Sequence, residues 1–145
     1  MIFSRTWELI LQGDKTQTRR IVKAGERLLA DHRDLPDEVL RRDATRYERL
    51  KWQVGRTYAV QPGRGKSAMG RIRLTGIRRE RLHQASVNDI IAEGFGVWHG
   101  EDHKADLAAF ANAWDTLHVR AGTRWQDNPD VWVLEFELIA PKEKT

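Results

Sequence analysis

Six consecutive residues, Lys15-Thr16-Gln17-Thr18-Arg19-Arg20, bring an amine, two hydroxyls and two guanidinium groups together directly after Gly13-Asp14. Such a run is dense in hydrogen-bond donors for a phosphate or a polar ring. In a regular strand Thr16, Thr18 and Arg20 share one face, and Lys15 joins them only if it belongs to the turn after Gly13. On spacing alone, an exposed basic strand explains the same residues.

Three further groups have chemical potential. Gly63-Arg64-Gly65-Lys66-Ser67 ends like a phosphate-binding loop, but the position five residues before Gly65 is Val60, and a strand rather than a helix follows. A nucleoside-triphosphatase site is therefore not expected, although Arg64 and Lys66 on a glycine-rich loop suit a phosphate contact. His99-Gly100-Glu101-Asp102-His103 has zinc-ligand types without the helical spacing of hydrolytic zinc motifs, so a surface loop is expected and no metal is assigned. Among six tryptophans, Trp114 and Trp132 fall on core faces, whereas Trp52, Trp98 and Trp125 lie near element ends. There an indole either packs or stacks on a base.

Composition narrows the classes. The chain has 145 residues, 40% hydrophobic and 32% charged, which fits one globular domain. It has no cysteine, so disulfides, thiolate metal sites and cysteine nucleophiles are excluded. No apolar run reaches the ~20 residues of a membrane span. Met1 to Arg5 contains no secretion signal, so a cytoplasmic location and no membrane partner are expected. The net charge of +4 is unevenly spread. Val54 to Gln84 holds eight Lys or Arg against one acid; Ala85 to Asp115 holds six acids against one Lys. The basic block either attracts a polyanion through residues such as Arg64, Lys66, Arg71 and Arg73, or pairs with the acidic stretch.

The positioning elements follow from periodicity. Ser4 as cap and Gly13 as stop frame a short helix over 5–12. Residues 15–22 suit a strand. Residues 34–52 read as a charged helix, an insertion spanning about 26–52. Strands are expected over 56–61 and 68–79, the second with Ile72 and Leu74 opposite Arg71 and Arg73 and a bulge at Gly76. Ser86 and Asp89 form a capping box for a helix ending near Glu93 and Gly94. An amphipathic helix covers 104–117, and a strand with Trp132, Leu134, Phe136 and Leu138 on one face covers 131–138. This order excludes a regular doubly wound sheet and predicts an α+β fold with a mostly antiparallel sheet or barrel.

Three blocks together resemble the ASCH family. Gly13 to Arg20 is similar to its opening Lys-Thr-x-Thr-x-Arg signature. Asn88 to Phe95 resembles its Ala-Glu-Gly-Phe helix, and Trp125 to Phe136 its closing strand. The resemblance implies a single PUA-like small β-barrel with peripheral helices, and a cleft for RNA or a modified nucleoside. Some small ASCH proteins hydrolyse the amide of acetylcytidine with a lysine, a threonine and a glutamate, which by motif position are Lys15, Thr18 and Glu93. Thr16, Arg19 and Arg20 then contact the substrate, and no cofactor is required. Other members have been regarded as RNA binders or ribonucleases. In an amidohydrolase a neutral lysine takes the threonine proton, which requires burial or nearby cations such as Arg19 and Arg20 to lower its pKa, and the glutamate protonates the departing amine. Equally, Lys15 and Glu93 suit an ion pair between helix and strand. Arg19 departs from the small amidohydrolases, where its position is apolar. A non-catalytic RNA-binding module is the other reading.

Overall fold

A computed structural model describes residues 1–29, 43–47, 49–95 and 103–141. In chain order the elements are α1 (Trp7–Leu11), β1 (Gln17–Ile21), β2 (Glu26–Leu29), β3 (Asp43–Arg46), β4 (Arg49–Gln53), β5 (Thr57–Val60), β6 (Gly70–Arg81), α2 (Val87–Ala92), α3 (His103–Leu117) and β7 (Asp130–Pro141).

The main sheet is antiparallel with order β1-β7-β6-β5, and β2-β3-β4 form a second antiparallel sheet. The α+β class is as expected. The barrel is not: among the described residues neither sheet closes on itself, and β1 and β5 remain the outer strands of theirs. A parallel bridge from Ile2 to Gln61 lays the N-terminal segment beside the end of β5.

The first half of β7, Val131 to Leu134, is buried on both faces, because an apolar cluster lies on each side of it. Trp132, Leu134 and Phe136 join Ile72, Leu74, Ile77 and, from the second sheet, Ala44 and Trp52. Val131 and Val133 face the helices and meet Ile90, Phe110 and Trp114. Full burial of each such large side chain contributes about 1.5–3 kcal/mol. The alternation in β6 is as expected, with Ile72 and Leu74 buried and Arg71 and Arg73 exposed. The bulge is also present. Leu74 pairs with Phe136 and Gly76 with Glu135, so Thr75 is the extra residue. A side chain on Gly76 would come within 2.9 Å of the Glu135 carboxylate, which would have to shift to admit it.

Two expectations are corrected. Helix α1 starts at Trp7 with Thr6, not Ser4, at the cap position. The helix expected over 34–52 is absent from its described part, where 43–46 and 49–53 are strands. Residues 30–42 lie outside the described residues. Strand packing wins over helix propensity here because Ala44 and Trp52 pair across β3 and β4 and bury against the core, with Trp52 edge-on to Trp132 at 6.4 Å.

Candidate active site

The turn after α1 sets the position of the key amine. Gly13 adopts a φ of 81°, and the N–H groups of Asp14 and Lys15 both donate to the Leu9 carbonyl. Lys15 therefore belongs to the turn, and β1 begins at Gln17. Next, the Thr16 N–H donates to the Ala92 carbonyl at 2.8 Å, stitching the start of β1 to the end of α2. Helix α2 has the expected capping box: the Asp89 N–H donates to Ser86 Oγ, and the Ser86 N–H donates to the Asp89 carboxylate. It ends at Glu93, and Gly94 turns the chain away with a φ of 100°.

These two chain ends bring Lys15 and Glu93 together. The Lys15 Nζ donates to Glu93 Oε2 at 3.0 Å and to the Glu93 carbonyl oxygen at 3.1 Å. Both side chains are about 95% buried. Burial pushes the Lys15 pKa down, and the charges of Arg20 and Arg19 push the same way, while Glu93 opposes them.

Along β1 the side chains divide. Thr18, opposite Leu134, and Arg20, opposite Trp132, point to the face carrying the Trp132 cluster. Gln17 and Arg19 point to the helix face. Arg19 is fully enclosed, donating to Glu93 Oε1 at 3.1 Å and to Glu80 Oε1 at 2.6 Å, with Asp89 at 3.3 Å. Arg78 extends the network, bonding Glu80, Asp89 and Glu135. Gln17 adds a bond to Asp89. Burial works to raise the Asp89 pKa, but hydrogen bonds from Ser86 and Gln17 and the Arg19 charge outweigh it and bring it to about 2.

Lys15, Thr18, Arg19, Arg20 and Glu93 all line one cavity of about 310 Å³ at the outer strand β1. One wall is the N-terminal segment with Phe3 and Arg5, and the other is aromatic, with Phe95, Phe110, Trp114 and His118. The volume is at the lower end of the ~300–1,000 Å³ typical of small-molecule sites. His118 stacks on Trp114 at 3.8 Å, and its Nδ1 lies 2.9 Å from the Trp114 carbonyl oxygen. A carbonyl only accepts, so Nδ1 carries the hydrogen and Nε2 is the acceptor in the neutral ring. Nothing in the sequence marked His118, because it sits at the end of an otherwise ordinary amphipathic helix.

The other candidates do not converge on the cavity. Thr16 is exposed and contributes its backbone. Arg64 and Lys66 are exposed on the β5–β6 loop. Arg71 donates to Thr57 Oγ1 and Arg73 pairs with Glu137, both on the exposed side of β6. The basic block meets acids of β7, including Asp130 with Arg79 and Arg81, and Asp89 of the acidic stretch that follows. Trp52 and Trp125 pack into the two apolar clusters rather than standing free for a base. Trp98 and the segment from His99 to Asp102 lie outside the described residues, as does the His103 side chain. Among the described residues no cluster of ligands suits a metal ion, and no helix is long and apolar enough to cross a membrane.

No family model and no curated protein matches the chain. Solved structures do. The crystal structure of protein EF3133 from Enterococcus faecalis V583, of family DUF984, superposes with a TM-score of 0.57 at 14% identity, covering 98% of this chain and 74% of that one. An ASCH domain from Lactobacillus crispatus JV V101 gives a TM-score of 0.49 at 17% identity, covering 93% of this chain and 70% of that one. This chain shares the fold of the Enterococcus protein.

Proposed function

We propose that this chain is an ASCH-type domain whose cavity binds a modified pyrimidine nucleoside and hydrolyses its acyl-amide bond. The observation behind this reading is the 3.0 Å contact between Lys15 and Glu93, 78 residues apart, in a cavity that also contains Thr18 and Arg20. Movement of one proton along that hydrogen bond turns the ion pair into a neutral amine and a carboxylic acid. Those are the forms the chemistry needs. The lowered pKa of Lys15 favours its neutral form.

Lys15 Nζ then takes the Thr18 hydroxyl proton as Oγ attacks the acyl carbon. The tetrahedral intermediate collapses by breaking the C–N bond, and Glu93 gives its proton to the departing amine. Glu93 takes a proton from the water that attacks the Thr18 ester, the bond from the acyl carbon to Oγ breaks, and Lys15 returns its proton to Thr18 Oγ as the carboxylic acid leaves. The aromatic wall of Phe95, Phe110 and Trp114 offers apolar faces to a planar base.

The test is cytidine release from N4-acetylcytidine. Lys15→Ala and Thr18→Val should each lower the rate by about 10²–10⁴, the usual contribution of a positioned acid or base. Thr18→Val keeps the side-chain shape, so it separates lost chemistry from lost folding. Release at the wild-type rate in both variants ends the enzyme reading.

A binding module without catalysis is the second reading, favoured by the exposed Arg71 and Arg73 on β6, away from the cavity. Their partners are weak surface contacts that a phosphate can displace. On that reading single-stranded RNA affinity falls with salt by a slope of ~0.7 per phosphate neutralised. RNA binding that is absent or insensitive to salt excludes it.

A further inference from the structure

The cations that line the cavity differ in how their charge is met: Lys15 and Arg19 are buried, and Arg20 is half-buried. Lys15 has Glu93, and Arg19 has Glu80, Asp89 and Glu93. Arg20 has no ion-pair partner among the described residues. Its Nη2 donates to the Ile2 carbonyl oxygen at 2.7 Å, and its guanidinium lies over the Phe3 ring, 5.0 Å from the centroid. Its Nε, like that of Arg19, is enclosed with no hydrogen-bond acceptor among the described residues. Burial pushes the Arg20 pKa down, and the offsetting field comes from Glu93, a carboxylate already bonded to Lys15 and Arg19.

An arginine does not escape this situation by losing its proton, because its pKa starts above ~12. A half-buried guanidinium with no carboxylate partner keeps donors, otherwise served by water, for a charged acceptor that enters the cavity. Among the described residues no carboxylate pairs with it, and Arg20 lines the cavity. From this we infer that the ligand of the cavity carries an anionic group, phosphate or carboxylate, seated on the Arg20 guanidinium. The inference rests on the cavity being the ligand site, as proposed above, and adds the charge of what it takes. For an acylated cytidine the anion is either a phosphate on the sugar or a carboxylate at the far end of the acyl group.

Calorimetric titration of two matched pairs distinguishes these sources. The first pair is cytidine 5′-monophosphate against cytidine, with wild-type protein. The second is N4-succinylcytidine against N4-acetylcytidine, with Thr18→Val so that neither ligand is consumed. Because binding is read, the outcome stands whether or not the amide is hydrolysed. In at least one pair the anionic member should bind about 10–100-fold more tightly, the range expected of a charge-assisted hydrogen bond. Arg20→Gln should abolish that difference, and Arg20→Lys should keep part of it. Equal affinities within both pairs, or a preference that survives Arg20→Gln, overturn the proposal. Should Arg20→Gln fail to fold, the Arg20 Nε–H resonance of the wild-type protein decides the matter. It must shift with the anionic member of the preferred pair and stay in place with the neutral one; a resonance that moves with neither overturns the proposal.

Discussion

Replacing Arg19 by methionine tests whether the buried charge network supports the site. The substitution keeps the length of the side chain and removes its charge. In the wild type this guanidinium has no exposed surface and serves Glu80, Asp89 and Glu93 at 2.6–3.3 Å. Removing one partner from a buried ion pair typically destabilises by about 3–5 kcal/mol. Here Lys15 still serves Glu93, and Arg78 still serves Glu80 and Asp89, so the lower end, about 3 kcal/mol, is expected. For a chain of this size that corresponds to a fall in Tm of about 6–12 °C. Urea and thermal unfolding of both proteins at pH 7 measure it. The pH dependence supplies the sign. Asp89 has a folded pKa of about 2 against an ordinary 3.8, so its contribution is present above pH 4 and is lost as the pH falls from about 4 to about 2. In Arg19→Met one cause of that depression is gone, and the gap between the proteins must narrow on acidification. A variant as stable as wild type at pH 7, or a gap that widens below pH 4, refutes the reasoning.

Two further outcomes follow from local geometry. Gly94→Ala forces a side chain onto a φ of 100° and to within 2.9 Å of Leu9 Cδ1, so it should lose roughly 1–3 kcal/mol by denaturant unfolding; a neutral result contradicts the positive φ. The His118 pKa is lowered, by burial first and then by Arg20, against the bond to Trp114 and the Asp115 charge. Its imidazole should therefore titrate below 6.5 by NMR and show hydrogen on Nδ1 when neutral; a midpoint above 6.5 contradicts that environment.

Much of this was legible from one-dimensional pattern. The alternation in β6 and β7, the bulge at Gly76 and the Ser86–Asp89 cap are local features, and each followed from neighbours a few residues apart. The position of Lys15 was left open, since the strand was expected from residue 15 and begins at Gln17. The β3–β4 hairpin was misread because its arginines and glutamates favour helix, and only contact with a distant core face makes Ala44 and Trp52 pair as strands. Arg19 was read as a substrate contact because it lies in a donor-dense run, between Thr18 and Arg20. Its three acids are 61 to 74 residues further along the chain, beyond any local pattern. That Arg20 pairs with no carboxylate among the described residues was illegible for the same reason, because it is visible only in three dimensions.

The burial of the first half of β7 on both faces has a kinetic consequence. Neither apolar cluster reaches completion until residues 130–141 slot between β1 and β6, and Gln17 finds its register only opposite Glu135. Closing so long a loop is an entropic hurdle that precedes most of the reward, which places refolding in the millisecond-to-second regime of non-local β topologies. Strand β1 thus reaches its register late, after a distant segment has docked, and the pocket along its edge matures with it.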